Sequence, residues 1–166
     1  MLSVRPARRA DLEAIEAVYA AARAYMRRSG NPTQWGNTAP DRSLLLRDIR
    51  RGEGYVLCDE TGRVCAAFAL CLGAEPTYQV IEQGAWKNEL PYGTIHRLGS
   101  DGSRQGVFSC CLDFCRGVIP NLRADTHRNN RTMRHLLEKN GFRYCGIIHV
   151  TDGSERLAYQ LEAPAR

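Results

Sequence analysis

Long apolar runs are missing from this 166-residue sequence, and none approaches the ~20 residues needed to span a bilayer. The first residues, Met1 to Pro6, also lack the apolar core of a signal peptide. Internal repeats and low-complexity segments are absent too, so nothing in the sequence indicates a repeat array. We therefore expect one domain of ordinary size, spanning residues 1–166, in the cytoplasm.

Paired cysteines are also absent. The seven cysteines are odd in number, form no Cys-x-x-Cys pair and are scattered through predicted strands and helices, so a secreted disulfide framework is excluded. Cys111 and Cys115 share one face of a predicted helix, but that face is the apolar one, and no metal site is predicted. All seven are expected to be reduced, mostly buried residues: Cys58, Cys65, Cys71, Cys110, Cys111, Cys115 and Cys145.

The charge is modest, at +5, and basic residues are concentrated in the last third of the chain. Such an excess attracts a polyphosphate, although a solvated helix face gives the same pattern. Nucleic acid is disfavoured because no aromatic residues interleave with the charges and no binding motif accompanies them. The basic residues are Arg123, Arg128, Arg131, Arg134, Lys139 and Arg143, against only Asp125 and Glu138.

A strand, a glycine-rich loop and a helix follow one another in the centre of the chain. Thr94–Leu98 is strand-like, Gly99–Gly106 is predicted to be a loop, and from Val107 apolar residues recur at helical spacing until Gly117 and Pro120. The first N–H groups of such a helix are unpaired, and its dipole favours negative charge there. The sequence therefore predicts an anion site, with phosphate as the expected guest.

A second unit of the same kind comes next. Residues 121–127 alternate like a short strand, and Asn129-Asn130 opens a helix whose apolar stripe includes Met133 and Leu137. Asn140-Gly141 closes that helix with residues suited to a left-handed cap.

The remaining pattern predicts an α+β fold of mixed α/β layers, with a mostly antiparallel sheet flanked by helices. Gly73–Tyr92 is irregular, and long insertions of this kind are often functional. The run at 64–72 is apolar on both faces and is predicted to be a central strand. Helices are expected from Asp11 and Asp41, further strands at 2–5, 55–58, 142–150 and 156–161, and a tail at 163–166.

These motifs resemble the GNAT superfamily of acetyl-CoA-dependent N-acetyltransferases. The matching features are the loop that ends in Gly106 before a helix, and Asn130 followed at the right distance by the run Glu138 to Phe142. The sequence departs from the family loop at Ser103 and Phe108, and Leu137 stands where the family's usual tyrosine acid is expected.

The resemblance implies acetyl-CoA as cosubstrate, a sheet splayed at the cofactor cleft, and a pantetheine arm between the diverging strands. It implies a primary amine acceptor, either a small molecule or a peptide, and no membrane partner; a homodimer stays open. Trp35, Trp86 and Tyr92 are expected to border the acceptor. The alternatives are that Trp35 packs as a structural plug and that Trp86 and Tyr92 anchor their loop. The implied cofactor-binding residues are Leu98, Gly99, Ser100, Arg104, Gln105, Gly106, Val107, Phe108, Asn130 and Met133.

His96 is the predicted general base. An ammonium must lose a proton before it attacks a thioester, the reference pKa of a histidine is ~6.5, and His96 precedes the glycine loop. The alternatives are a structural histidine with a water relay, and His127, His135 or His149. Two other functions remain open: a catalytically weak or inactive protein that binds or senses acyl-CoA, and a basic protein that holds another phosphate.

Overall fold

The structure is a computed structural model that describes residues 1–164. Seven strands form one sheet in the order β1-β2-β3-β4-β5-β7-β6. Four α-helices and short 3-10 turns at 9–11 and 76–78 complete the fold. The strands are β1 Ser3–Pro6, β2 Gly54–Cys58, β3 Val64–Leu72, β4 Gly93–Ser100, β5 Leu122–Thr126, β6 Arg143–His149 and β7 Glu155–Leu161. The helices are α1 Leu12–Arg28, α2 Arg42–Arg50, α3 Val107–Val118 and α4 Arg131–Lys139.

The predicted fold class is confirmed. Neighbouring strands are antiparallel except β4 and β5, and β3 lies between β2 and β4 with both of its faces buried up to Leu70. The glycine loop is shorter than predicted, because Gly99 and Ser100 still pair with β3. Pairing of the backbone thus overrides the low strand propensity of glycine. Of the predicted tail, residues 165 and 166 lie outside the described residues.

Helices and one loop cover the two faces of the sheet. Apolar residues of α1 and α2 pack on one face of β2 and β3, and those of α3 and α4 pack on the opposite face. Within residues 1–164, the first face carries no α-helix beyond β4. There the irregular segment 73–92 packs its Tyr78, Ile81, Trp86 and Tyr92 against β6 and β7. We call this segment the covering loop and this side of the sheet the acceptor face.

The sheet splits between β4 and β5, as the resemblance implies. These parallel strands pair only at Gly93 with Leu122 and at Thr94 with Arg123, and then diverge. A bulge marks the divergence, since two β4 residues, Arg97 and Leu98, lie opposite a single residue of β3. We call the opening the fork.

The bulge holds Arg97 in a left-handed backbone conformation, with φ of 55°. Three contacts fix it there. The Arg97 guanidinium donates to both carboxylate oxygens of the buried Asp48 in α2, at 2.9 and 2.8 Å. The Tyr19 hydroxyl of α1 donates to the Arg97 carbonyl oxygen at 2.6 Å. Strain of this kind persists only where the surroundings over-determine it, and it is common at functional sites.

Candidate active site

The fork opens into a small cavity of about 220 Å³. The β4 wall runs from Ile95 to Leu98 and the β5 wall from Ala124 to Thr126. Gln34 and Trp35 of the α1–α2 connection close one side, and Arg156 of β7 lines another. The cavity therefore lies at the point where the two strands separate, and polar side chains of the acceptor face meet there.

A larger groove of about 530 Å³ continues from this cavity toward the start of α3. The two spaces share Met26, Leu98, Phe108, Asn130 and Met133 in their linings. A hydrogen bond of 2.7 Å joins the Tyr25 hydroxyl of α1 to the Thr132 hydroxyl of α4 beside the groove. The structure brings together seven of the ten predicted cofactor-binding residues along this groove: Leu98, Gly99, Ser100, Val107, Phe108, Asn130 and Met133.

The start of α3 has the form of an anion site. Gly106 precedes the helix with φ of 80°, and no side chain caps the first N–H groups. A side chain at this glycine would meet nothing within 4 Å, so the space in front of the helix is open. Unpaired N–H groups and the positive end of the helix dipole both favour a phosphate there.

Arg104 is placed differently from the prediction. Its guanidinium donates to Asp59 at 3.2 Å and to Glu60 at 2.9 Å, in the turn between β2 and β3. Arg63 from the same turn pairs with Asp101 at 2.9 Å. These ion pairs tether the glycine loop to the sheet, so the Arg104 side chain has a structural role in this conformation. Neither Arg104 nor Gln105 lines the groove.

Two departures from the family pattern lie inside the protein. Phe108 is buried, with its ring 6.4 Å from that of Phe142 in an edge-to-face arrangement. Its side chain thus packs inward, and it does not crowd the loop in front of the helix. Leu137 is buried in the cavity wall, and no tyrosine lines this cavity within residues 1–164. A tyrosine acid is therefore not supplied at this position.

His96 lies on the acceptor face and lines the cavity, in contact with a carboxylate. Its Nε2 donates to Oε2 of Glu75 in the covering loop, at 3.1 Å. This hydrogen bond, assisted by contacts from Thr77, lowers the pKa of Glu75 to about 2. A carboxylate that accepts from one ring nitrogen fixes the orientation and the tautomer of a neutral imidazole.

Asp125 and Tyr78 complete the group around His96. The Tyr78 hydroxyl donates to Oδ2 of Asp125 at 2.6 Å, and its ring centre lies 6.4 Å from that of His96. Burial raises the pKa of Tyr78 well above its usual value, and the Asp125 charge raises it further. The phenol therefore remains a hydrogen-bond donor to the Asp125 carboxylate, which lines the same cavity as His96.

The sequence analysis did not identify Glu75, Tyr78, Asp125, Gln34 or Arg156 as site residues. For Asp125 and Arg156 a signal existed, because strand alternation places them on the same face of the sheet as His96. No comparable signal existed for Glu75 and Tyr78, since they lie in an irregular segment whose path has no period.

Trp35 lines the cavity, and its ring also packs edge-to-face on Tyr19 at 5.3 Å. Gly99 permits this arrangement, since a side chain there would lie 2.9 Å from the Tyr19 ring. The neighbouring Gln34 connects the segment to the corner before α4. Its Oε1 accepts from Asn31 at 3.0 Å, from Asn130 at 3.1 Å and from the backbone of His127 at 3.3 Å.

Trp86 and Tyr92 have a different position from the predicted one. Their rings enclose the Arg123 guanidinium, at 4.2 and 3.9 Å from the ring centres, and neither lines the cavity. Their packing against β5 anchors the covering loop. Arg123 itself is only 4% exposed and donates to the Asn88 carbonyl oxygen, so it does not belong to the predicted basic surface.

Asn130, and not Asn129, caps α4. Its Oδ1 accepts a hydrogen bond from the Met133 N–H at 3.1 Å, while its Nδ2 donates one to Oε1 of Gln34 at 3.1 Å. Of the two asparagines that open the helix in the sequence, it is therefore Asn130 whose side chain provides the cap, while the Asn129 backbone N–H donates to the His127 ring at 3.0 Å. At the other end Gly141 has φ of 92°, and the left-handed cap is as predicted.

Metal and membrane sites are not found in the part of the chain that the structure describes. Over residues 1–164, no three His, Cys, Asp or Glu side chains cluster as metal ligands. No helix within the same range is long and apolar enough to cross a bilayer. All seven cysteines are free thiols, and Cys111 and Cys115 lie in the core.

Comparisons with known proteins agree with this geometry. No family model and no curated protein sequence matches the chain. The structure of a GNAT-family acetyltransferase from Streptococcus agalactiae 2603 matches with 29% identity and a TM-score of 0.89, over 99% of this chain and 96% of that one. A GNAT-family acetyltransferase from Listeria monocytogenes 4b F2365 matches with 19% identity and a TM-score of 0.70, over 97% of this chain and 94% of that one. The NatC complex bound to Gag peptide and CoA matches with 9% identity and a TM-score of 0.66, over 98% of this chain and 99% of that one.

The chain has the GNAT acetyltransferase fold. The resemblance to the GNAT superfamily that the sequence motifs indicate is confirmed by these matches over nearly the full chain.

Proposed function

We propose that the protein transfers an acetyl group from acetyl-CoA to a primary amine by direct attack. One observation carries the proposal: an open helix start leads through an apolar groove to a cavity that contains a histidine paired with a carboxylate. The matching structures support it, since two are GNAT-family acetyltransferases and one is a complex with CoA.

The helix start and the groove supply the parts that a CoA molecule requires. The N–H groups after Gly106 suit the pyrophosphate, and the apolar walls at Leu98, Phe108 and Met133 suit the pantetheine arm. Asn130 lines both spaces, and its side chain orders the corner beside them. Beyond the bulge, no strand within residues 1–164 pairs with β4 on its β5 side, so backbone groups after Arg97 are available to the amides of the arm.

The residues in the cavity account for proton transfer. His96 takes one proton from the acceptor ammonium, and Glu75 stabilises the imidazolium that results. The neutral amine nitrogen then forms a bond to the thioester carbon, the carbon–sulfur bond breaks, and the nitrogen releases its second proton to solvent. The departing sulfur leaves as a thiol with a proton from solvent, because Leu137 has none to give. A cytoplasmic location stays a prediction of the sequence, and a homodimer stays open.

Thiol release tests the activity. Purified protein with acetyl-CoA and a panel of primary amines should release free thiol only when an acceptor is present, and mass spectrometry should find the acetylated amine. Binding of CoA without turnover of any amine would instead favour the alternative, a protein that binds or senses acyl-CoA.

Gly106→Val tests the anion site directly. A β-branched side chain in front of the helix should obstruct the phosphates and weaken CoA binding by roughly tenfold or more, which is ~1.4 kcal/mol. Gly52→Val is the matched control. Gly52 also has a positive φ, of 68°, and open space around it, but it follows α2 away from the groove. Calorimetric titration with CoA should separate the two variants, and equal affinities in folded proteins would contradict the site.

A further inference from the structure

Arg156 is a buried cation that faces the cavity, and among residues 1–164 no carboxylate bonds to it directly. Asp152 reaches it only through the Ser154 hydroxyl, which donates to that carboxylate at 2.6 Å. Arg156 is 8% exposed and lines the wall of the cavity. Its hydrogen bonds go to neutral acceptors: the Ser154 hydroxyl at 3.1 Å, the Glu155 carbonyl at 2.9 Å and the Gln34 carbonyl at 3.3 Å. Within residues 1–164, no ion pair neutralises it. Burying an unpaired charge is costly, so the arrangement favours an anionic ligand.

The other arginine in the cavity wall gives a useful contrast. Arg97 lines the same cavity but is neutralised by Asp48, with which it shares the two short hydrogen bonds at the bulge.

The positive charge of Arg156 also affects the neighbouring His127. Burial lowers the pKa of His127, and the charges of Arg156 and Arg128 lower it further.

Asp125 supplies the opposite charge in the same cavity. The Tyr78 hydroxyl donates to Oδ2 of Asp125, while Oδ1 of Asp125 has no hydrogen-bond partner within residues 1–164. Asp125 pairs with Ala158 across β5 and β7, and Arg156 is two residues from Ala158 on that strand. The two charged residues are therefore diagonal neighbours on one face, at roughly 7–8 Å between backbones.

With CoA in the adjoining groove, as proposed, the size of the cavity restricts the acceptor. At about 220 Å³ it is smaller than the roughly 300–1,000 Å³ typical of pockets for drug-sized ligands. A compact molecule with a positive and a negative group a few ångströms apart matches both the volume and the two charges.

We propose that the acceptor is a small zwitterion of the α-amino-acid class. Its ammonium binds Asp125 beside His96, and its carboxylate binds the guanidinium of Arg156. This inference rests on the proposed acetyl transfer and names the substrate class for it. A peptide N-terminus would place a neutral amide next to Arg156, and a simple amine would leave that cation unpaired.

Three matched acceptors test the inference: leucine, leucinamide and 3-methylbutylamine, which share a side chain and differ in the carboxylate. If leucine gives no turnover, the other α-amino acids are tried, each with its own amide and decarboxylated amine. We expect kcat/KM for the acid to exceed that for its amide and amine by roughly 30-fold or more, as for a buried charge pair.

Arg156→Gln should remove that preference. The loss of kcat/KM should be greatest for the amino acid and appear mainly as a raised KM, so that the acid, the amide and the amine approach equal kcat/KM. Arg156→Lys should restore part of the preference. Arg128→Gln, which removes an exposed charge nearby, is the control and should keep it.

The outcomes are distinguishable. Transfer to amines with equal kcat/KM for the acid, the amide and the amine would overturn the zwitterion and leave the proposed function intact. Failure of every amine, in a protein that binds CoA, would overturn the proposed function and the inference with it. If Arg156→Gln does not fold, the comparison of the three acceptors with the wild-type protein decides.

Discussion

At the scale of single residues, the chemistry of the site depends on pairs that join distant parts of the chain. His96 was predicted from the sequence because strand alternation and its place before the glycine loop are local features. Its partner Glu75 could not be predicted, since it is 21 residues away along the chain in a segment without periodicity. Pairing of this kind is a property of the tertiary structure.

His96→Gln tests the general base. Glutamine keeps most of the volume and a hydrogen bond to Glu75, but it cannot accept the proton. We expect the rate to fall by ~100-fold to ~10,000-fold. The rise of activity with pH on the acidic side should also disappear, since only the neutral imidazole accepts a proton. A pH profile of kcat/KM with the best acceptor measures both effects, and an unchanged rate and acidic limb would place the base elsewhere.

Glu75→Gln tests the same pair through stability. The contact with His96 lowers the pKa of Glu75 from 4.5 to about 2 in the folded protein. The contact therefore stabilises the fold fully above pH 4.5, and this contribution is lost as the pH falls toward 2. Over that window, urea unfolding should show a steeper loss of stability in the wild type than in Glu75→Gln. Glu89→Gln, an exposed change in the same loop, should keep the wild-type slope.

At the scale of elements, local sequence determined most of the fold. α3 begins at Val107 and ends at Val118 as the spacing predicts, and β3 spans the predicted run. Periodicity and caps are read over a few residues, so such elements are accessible from sequence. The boundary at Gly99 was missed because pairing with β3, a contact between distant segments, extends β4.

Asn130→Ala tests the cap of α4. Loss of the bond to the Met133 N–H should lower the free energy of unfolding by ~1 kcal/mol. Asn130→Asp keeps an oxygen acceptor and should retain most of that stability, although it loses the donor to Gln34. Asn129→Ala is the control, because the cap does not involve its side chain.

Urea unfolding compares the three variants with the wild type, and CoA titration of the same samples reports whether Asn130 also affects CoA binding. Equal stability of Asn130→Ala and the wild type would contradict the cap.

At the scale of the whole molecule, the covering loop takes the place of a helix on the acceptor face. It delivers Glu75 and Tyr78 to the site and is fastened to β6 at one point. There Glu82 and Ile147 exchange two backbone hydrogen bonds, of 2.9 and 2.8 Å. The approach is close because Gly146 has no side chain, and an added Cβ would lie 2.6 Å from the Glu82 carbonyl oxygen.

Gly146→Ala should release this attachment. The clash with backbone should destabilise the protein by ~1–3 kcal/mol and free the covering loop. Limited proteolysis should then cut within residues 79–91 faster than in the wild type, and acceptor turnover should fall while CoA binding persists. Gly153→Ala, at a glycine with φ of 86° and open surroundings, is the control for backbone strain. Equal rates of cleavage in the two variants would show that the loop is held elsewhere.

The fork has a further consequence for the protein's energetics. Only two residue pairs join β4 to β5, so the sheet consists of two hydrogen-bonded halves that are nearly separate. In the proposed complex, the amides of the pantetheine arm would occupy the place of a missing strand between them. A ligand that binds only the folded chain stabilises it by mass action, by ~2.7 kcal/mol at a concentration one hundred times its Kd. Under the proposed function, the fork would thereby tie the persistence of the folded protein to the supply of acetyl-CoA.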